Sequence, residues 1–104
     1  MVLGGMRMIS LDELLRAKRN GILRLAEKYG ARNVRVFGSV VRGESGPDSD
    51  VDFLVDMDPG RSFFDHVALL EDLRALLGRK VDVVTGESLY WLLRRRILRE
   101  AKPL

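Results

Sequence analysis

The residues best suited to chemistry are a Gly-Ser pair, an Asp-x-Asp pair and a later aspartate, namely Gly38, Ser39, Asp50, Asp52 and Asp82. Asp50 and Asp52 begin an apolar run, and the two-residue period of a β-strand places both on one face. Neighbouring carboxylates repel each other unless a cation lies between them, so the pair predicts a site for a hard metal ion. The Gly-Ser pair follows a short apolar strand and opens a helical turn, whose backbone N–H groups can hold phosphate oxygens. A phosphate-binding turn beside metal-binding carboxylates indicates phosphoryl or nucleotidyl transfer.

The third aspartate belongs to a later apolar segment. Asp82 lies between Val81 and Val83, so in a strand its side chain faces away from theirs. If that strand pairs beside the strand of Asp52 with the polar positions aligned, Asp82 joins the first two carboxylates. Three carboxylates can hold two divalent cations about 3.5–4 Å apart. Magnesium is the expected ion, because it favours carboxylate oxygens combined with substrate phosphates.

These motifs also carry a family resemblance. The Gly-Ser pair, ten intervening residues and Asp-x-Asp resemble the signature of the polymerase-beta-type nucleotidyltransferase superfamily. Segments 38–44, 49–52 and 96–101 are similar to its smallest members, the minimal nucleotidyltransferases of the MntA antitoxin type. The resemblance extends over nearly the whole chain.

The resemblance implies a role for each motif residue. Asp50 and Asp52 correspond to the family's metal ligands, and Asp82 corresponds to a third ligand or a base. Gly38 and Ser39 correspond to the residues that hold the β- and γ-phosphates of the nucleotide. The implied cofactor is Mg²⁺, with two ions, and the implied nucleotide is ATP.

Arg42 and Ser49 complete the set of candidate nucleotide-binding residues. Arg42 either contacts phosphate or bridges its helix to a carboxylate of the site. Ser49 is expected to cap the entry of the strand through its hydroxyl, in a supporting role.

The resemblance further implies a metal-dependent protein adenylyltransferase that acts as an antitoxin. Such a protein transfers AMP from ATP to a tyrosine of a cognate HEPN ribonuclease toxin. No separate acceptor-binding domain is expected within these 104 residues, so a partner is expected to bring the acceptor. Two alternatives stay open: an antitoxin that neutralises the toxin by binding alone, and a free-standing transferase acting on a small molecule or on RNA.

Hydrophobic periodicity and capping signals predict an α/β (α+β) fold of the small nucleotidyltransferase type. We expect a short mixed sheet of about three strands packed with three main helices. Capping-box patterns at Ser10 and Ser62 begin two of these helices, and the second is expected to bury a stripe that includes Phe63, Val67, Leu73 and Leu77. Residues 10–104 are expected to form a single domain after a flexible leader, residues 1–9. The predicted strands are 34–37, 51–56 and 81–84, with a short helix over 39–43.

Composition excludes several classes of protein. The chain has no cysteine, which rules out disulfides and thiolate metal sites. No apolar run is long enough to span a bilayer and no secretory segment is present, so a cytoplasmic protein without membrane contact is expected. Net charge is +3, yet residues 48–86 hold nine acidic and four basic side chains around the proposed metal site. The basic ends of the chain either attract phosphates, RNA or an acidic partner, or form a solvated surface. The ligands that the resemblance implies are a nucleotide triphosphate and a partner protein, and no direct binding of nucleic acid is expected.

Overall fold

The computed structural model describes residues 10–43, 49–88 and 91–104, so the predicted leader, residues 1–9, lies outside the described residues. The elements alternate between helices and short strands. In chain order they are α1 (Leu11–Lys28), β1 (Ala31–Phe37), α2 (Ser39–Arg42), β2 (Val51–Met57), α3 (Phe63–Leu77), β3 (Val81–Thr85), a 3-10 turn (Gly86–Ser88), α4 (Trp91–Glu100) and β4 (Lys102–Pro103).

The four described strands form one mixed sheet in the order β3-β2-β1-β4. β1 is antiparallel to both β2 and β4, whereas β2 and β3 are parallel. The predicted α+β fold is confirmed, but the sheet has one strand more than the three expected. Periodicity could not reveal β4, because it has only two residues, Lys102 and Pro103, which pair with Arg35 and Val36 of β1. β1 also begins at Ala31 rather than at 34.

Local hydrogen bonds set the beginnings of the two long helices. The Ser10 hydroxyl accepts the Glu13 backbone N–H at 3.1 Å and lies 3.3 Å from the Glu13 carboxylate. At α3 the Ser62 hydroxyl accepts the Phe64 N–H at 3.2 Å, while the Asp65 carboxylate accepts the Ser62 N–H at 3.0 Å. Both predicted N-caps are confirmed, and each satisfies a backbone donor that the helix itself leaves unpaired.

The core lies between the sheet and the helices α1 and α3. Ile22, Phe53 and Leu73 are fully or almost fully buried within it. The prediction that Phe63 and Val67 belong to the buried stripe of α3 is wrong, since they are 74% and 37% exposed. At 3.6 residues per turn, Val67 lies about 120° around the helix axis from Leu73 and therefore points away from the sheet.

Candidate active site

Asp52, the second residue of β2, lies beside the end of β1 and beside the start of β3. It pairs with Phe37 across the antiparallel strands β1 and β2, and with Asp82 across the parallel strands β2 and β3. The residues on either side of it, Val51 and Phe53, are completely buried, so Asp52 faces away from that core. The sheet therefore brings Asp82 beside the Asp-x-Asp pair, as the sequence predicted.

Asp82 faces the same way for the same reason. Its neighbours Val81 and Val83 are buried at 3% exposure each, whereas Asp82 itself is exposed. Asp50, which directly precedes β2, is also exposed. The three candidate carboxylates thus lie at one end of β2 and β3, where Asp50 and Asp82 are exposed and Asp52 is half-buried.

Gly38 packs directly against Asp52. Its backbone is in the left-handed region, with φ 81°, and it is the N-cap of α2. A Cβ atom at this position would collide with the Asp52 carboxylate. Both the backbone angle and the space therefore require glycine here.

The short helix α2 follows this glycine. The N–H groups of Val41 and Arg42 bond to the Gly38 carbonyl at 3.1 and 3.2 Å. The first N–H groups of a helix have no acceptor within the helix, so those of Ser39 and Val40 can serve a ligand. Ser39 is half-buried at the start of this turn, where the sequence placed a phosphate-binding residue.

The electrostatics of the site centre on Asp52. Partial burial is the main cause that raises its pKa from 3.8 to about 6, followed by the negative charges of Asp82 and Asp50. The Arg42 guanidinium opposes this change, while the Glu100 carboxylate adds to it. Burial and nearby negative charges both disfavour the ionised form of a carboxyl group.

Arg42 joins α2 to the last helix. Its guanidinium lies 2.6 Å from the Glu100 carboxylate of α4, whose side chain is only 14% exposed. Of the two roles considered for Arg42, this contact supports a bridge from its helix to a carboxylate, here that of Glu100 in α4. Sequence reasoning missed Glu100, because nothing in a local pattern connects two residues so far apart in the chain.

Ser49 is held through its main chain. Its carbonyl accepts a hydrogen bond from the Arg79 guanidinium at 3.0 Å. This contact links the entry of β2 to the turn that leads into β3. Arg79 was also missed by sequence reasoning, although it lies only three positions before Asp82 in the sequence.

A cleft of about 630 Å³ opens beside the carboxylates. Its lining includes the carboxylate residues Asp50 and Asp82 and three cationic residues, Arg74, Arg79 and Lys80. Neither Gly38 nor Ser39 lines this cleft. The site therefore has two parts, a glycine turn on the β1 side of Asp52 and a basic cleft on the β3 side.

The donor set fits a hard divalent cation, since it consists of carboxylate oxygens that repel each other. Among the residues that the structure describes, no three His, Cys, Asp or Glu side chains converge closely enough to enclose a metal ion by themselves. A cation at these aspartates would take further oxygen ligands from the substrate, as Mg²⁺ commonly does. The roles of Asp50, Asp52 and Asp82 as ligands stay predictions.

None of the helices within the described ranges has the length and apolar character needed to cross a membrane.

A glycine turn packed on an Asp-x-Asp strand within a small mixed sheet defines a nucleotidyltransferase fold. Residues 19–104 match the family model of the nucleotidyltransferase domain. The chain belongs to this family, and its enzyme class is nucleotidyltransferase.

Two proteins of known name or structure are similar to this chain over most of its length. This chain is 42% identical to protein adenylyltransferase MntA of Thermococcus cleftensis over 95 residues, which cover 91% of this chain and 96% of that protein. A solved structure described as a minimal nucleotidyltransferase has 50% identity and a TM-score of 0.80, covering 88% of this chain and 94% of the other. The predicted resemblance to minimal nucleotidyltransferases is thereby confirmed.

A more distant solved structure shares the fold. It is a chain from the complex of a tri-AMPylated Shewanella oneidensis HEPN toxin with MNT antitoxin. The TM-score is 0.64 at 20% identity, and the match covers 85% of this chain and 69% of the other. At that identity, the likeness concerns the fold alone.

Proposed function

We propose that this protein is a metal-dependent protein adenylyltransferase and antitoxin, which transfers AMP from ATP to a tyrosine of a cognate HEPN ribonuclease toxin. The observation that carries the proposal is the position of Asp52, which packs against Gly38 on one side and pairs with Asp82 on the other. This arrangement brings a phosphate-binding turn and clustered carboxylates together, as nucleotidyl transfer requires. The relative from Thermococcus cleftensis, named a protein adenylyltransferase, supports the choice of AMP and of a protein acceptor.

Each part of the site has a role in the proposed reaction. Asp50, Asp52 and Asp82 hold Mg²⁺, with two ions proposed, and the bound cations supply positive charge that offsets the negative charge of the triphosphate. The turn at Gly38 and Ser39 holds the β- and γ-phosphates through backbone N–H groups. This division of tasks explains why a glycine lies directly against a carboxylate.

The transfer itself is a single displacement. The tyrosine oxygen forms a bond to the α-phosphorus of ATP, the bond from that phosphorus to the β-phosphate oxygen breaks, and pyrophosphate leaves. The Asp82 carboxylate is proposed to accept the hydroxyl proton, because it is exposed and belongs to β3, which lies on the other side of β2 from β1 and the glycine turn. The partner protein brings the tyrosine, and no direct contact with nucleic acid is part of the proposal.

A HEPN toxin is proposed as the partner because the fold recurs in the solved complex of a HEPN toxin with MNT antitoxin. We also propose that the protein acts in the cytoplasm, where ATP and Mg²⁺ are supplied. The test is to mix the purified chain with the proposed partner, a HEPN protein encoded by a neighbouring gene where one is found, add Mg²⁺ and ATP, and weigh the HEPN protein by mass spectrometry. Addition of AMP units by the wild-type chain is the expected result.

The matched control pair uses aspartates of the same strand. Asp50→Asn combined with Asp52→Asn should abolish the mass increase, while Asp56→Asn, at the other end of β2, should retain it. Neutralisation of the toxin without any mass change, equally by the double variant, would favour an antitoxin that inhibits by binding alone.

A further inference from the structure

The two sides of the carboxylate cluster differ in chemistry. On the β1 side lies the glycine turn, where Gly38 packs against Asp52. On the β3 side lies the cleft of about 630 Å³ whose lining includes Arg74, Arg79 and Lys80. Neighbouring strands are about 4.8 Å apart, so β1 and β3, on either side of β2, are separated by about 10 Å.

The proposed transfer displaces pyrophosphate from the α-phosphorus of ATP. The attacking oxygen and the leaving oxygen lie roughly in line, on opposite sides of that phosphorus. With the β- and γ-phosphates at the glycine turn, pyrophosphate leaves toward β1. The acceptor hydroxyl must then approach from the β3 side, which is the side of the basic cleft.

The cationic side chains of the cleft are held in different ways. Arg79 donates to the Ser49 carbonyl at 3.0 Å, and Arg74 donates to the Val81 carbonyl at 3.4 Å, so both are tied to the rim of the cleft. Lys80 is exposed, and its backbone carbonyl accepts the Val51 N–H at 3.0 Å. The main chain at Lys80 is thus anchored in the sheet while its ammonium group faces solvent.

We propose that Arg74, Arg79 and Lys80 form an acceptor subsite, which binds an anionic group of the acceptor protein next to the hydroxyl that receives AMP. The inference rests on the proposed function and specifies the acceptor's chemistry. Guanidinium and ammonium groups bind carboxylate and phosphate oxygens, and a cleft of this volume is large enough for a nucleotide-sized group. The anion is either an acidic side chain of the acceptor or the phosphodiester of an AMP unit already attached to it.

Lys80 is the residue with which to test the subsite, because its side chain can change without removing a contact that holds β2 or β3. Lys80→Glu should raise the KM for the HEPN acceptor about tenfold, because a carboxylate that repels the acceptor's anionic group replaces the ammonium group that attracts it. The KM for ATP should stay within about twofold, because the triphosphate binds on the other side of Asp52. Lys80→Gln should fall between the two, and Lys80→Arg should restore the wild-type value.

Lys18→Glu is the matched control, because it makes the same charge reversal at an exposed position of α1. Each variant is compared for two acceptors, the unmodified HEPN protein and the same protein carrying one AMP. An effect of Lys80→Glu on both acceptors identifies acidic side chains as the anion, whereas an effect on the AMP-bearing acceptor alone identifies the phosphodiester.

The inference and the proposed function fail in different ways. If the wild-type chain adds no AMP, the proposed function fails, and calorimetric titration of the unmodified acceptor without ATP still compares Lys80→Glu with Lys18→Glu. Equal acceptor affinity of these two variants would overturn the subsite, as would tighter binding by Lys80→Glu. A rise in the KM for ATP instead of the acceptor would also overturn it, because the cleft would then hold the triphosphate.

Discussion

Asp52 and Asp82 occupy paired positions on the parallel strands β2 and β3, so their carboxylates share one face at the same end of the sheet. Each lies between two buried residues of its strand, so both face away from the core that those residues form. Partial burial of Asp52, followed by the negative charge of Asp82, raises the pKa of Asp52 to about 6.

Asp52→Asn should stabilise the metal-free protein at neutral pH. The folded-state pKa of Asp52, about 6, is higher than its ordinary value of 3.8, so the folded state binds the proton more tightly than the unfolded state. The penalty is complete above about pH 6, decreases as the pH falls toward about 4, and is absent below that. After allowance for screening by solvent, we expect about 1–2 kcal/mol of added stability above pH 6 and almost none near pH 4.

The measurement is thermal unfolding in EDTA across this pH range. Asp12→Asn is the control, because Asp12 is an exposed first-turn residue of α1 paired with Arg16 at 2.9 Å, and its loss should slightly destabilise the protein. Equal Tm values for wild type and Asp52→Asn above pH 6 would contradict the raised pKa. Added Mg²⁺ should raise the Tm of the wild type more than that of Asp52→Asn.

Asp82→Asn should reduce transfer strongly and leave the free energy of unfolding nearly unchanged. Asp82 is exposed, and the charge it presents to Asp52 is repulsive, so the fold gains nothing from it in the absence of metal. We expect a decrease in kcat of about 100-fold or more if it takes the hydroxyl proton.

The control for Asp82→Asn is Asp56→Asn, which should change the stability of the fold and not the rate of transfer. Asp56 accepts hydrogen bonds from Asn33 at 3.1 Å and from Arg35 at 3.2 Å, at the other end of β2. Asp56→Asn should therefore lower the free energy of unfolding by about 0.5–1 kcal/mol and leave kcat unchanged. Similar kcat values for Asp82→Asn and Asp56→Asn would argue against a catalytic role for Asp82.

Gly38→Ala should impair both folding and transfer, because the added methyl group collides with the Asp52 carboxylate in a backbone conformation that alanine adopts poorly. The expected loss is about 2–4 kcal/mol of stability, together with most of the activity. Gly43→Ala is the matched control: its φ is 73°, but within the part of the chain that the structure describes no atom beyond its chain neighbours lies within 4 Å of the added carbon. It should lose only about 1 kcal/mol and keep transfer, which urea unfolding and the mass assay would measure.

The ion pair between Arg42 and Glu100 should tune the charge of Asp52. Arg42→Gln removes a group that lowers the pKa of Asp52, so that pKa should rise above about 6. Glu100→Gln removes a group that raises it, so the pKa should fall. Titration of the Asp52 carboxyl carbon by NMR in EDTA would measure both shifts.

The double variant, Arg42→Gln with Glu100→Gln, distinguishes an effect of charge on the pKa of Asp52 from an effect of a structural change. With both partners replaced, the opposing effects should largely cancel, and the pKa of Asp52 should return toward that of the wild type. Shifts of the same sign in the two single variants would mean that movement of α2, rather than charge, controls Asp52.

The sequence alone determined the features that depend on residues close together in the chain. Ser10 and Ser62 cap their helices through hydrogen bonds that reach two or three residues ahead. The placement of Asp50 and Asp52 at the head of a strand followed from the alternation of that strand. Such features could be predicted because the geometry of a helix or a strand fixes which near neighbours meet.

Only the tertiary structure decided which distant residues meet. The parallel register of β2 and β3 pairs Asp82 with Asp52. From the sequence, this could be predicted only on the condition that the two strands are neighbours with their polar positions aligned. The pairing of Arg42 with Glu100 and of Arg79 with Ser49 has no local signal, and neither does the pairing of β4 with β1. These contacts depend on how whole strands and helices pack, because a polar side chain can satisfy its charge or hydrogen bonds with many partners and the fold alone selects one.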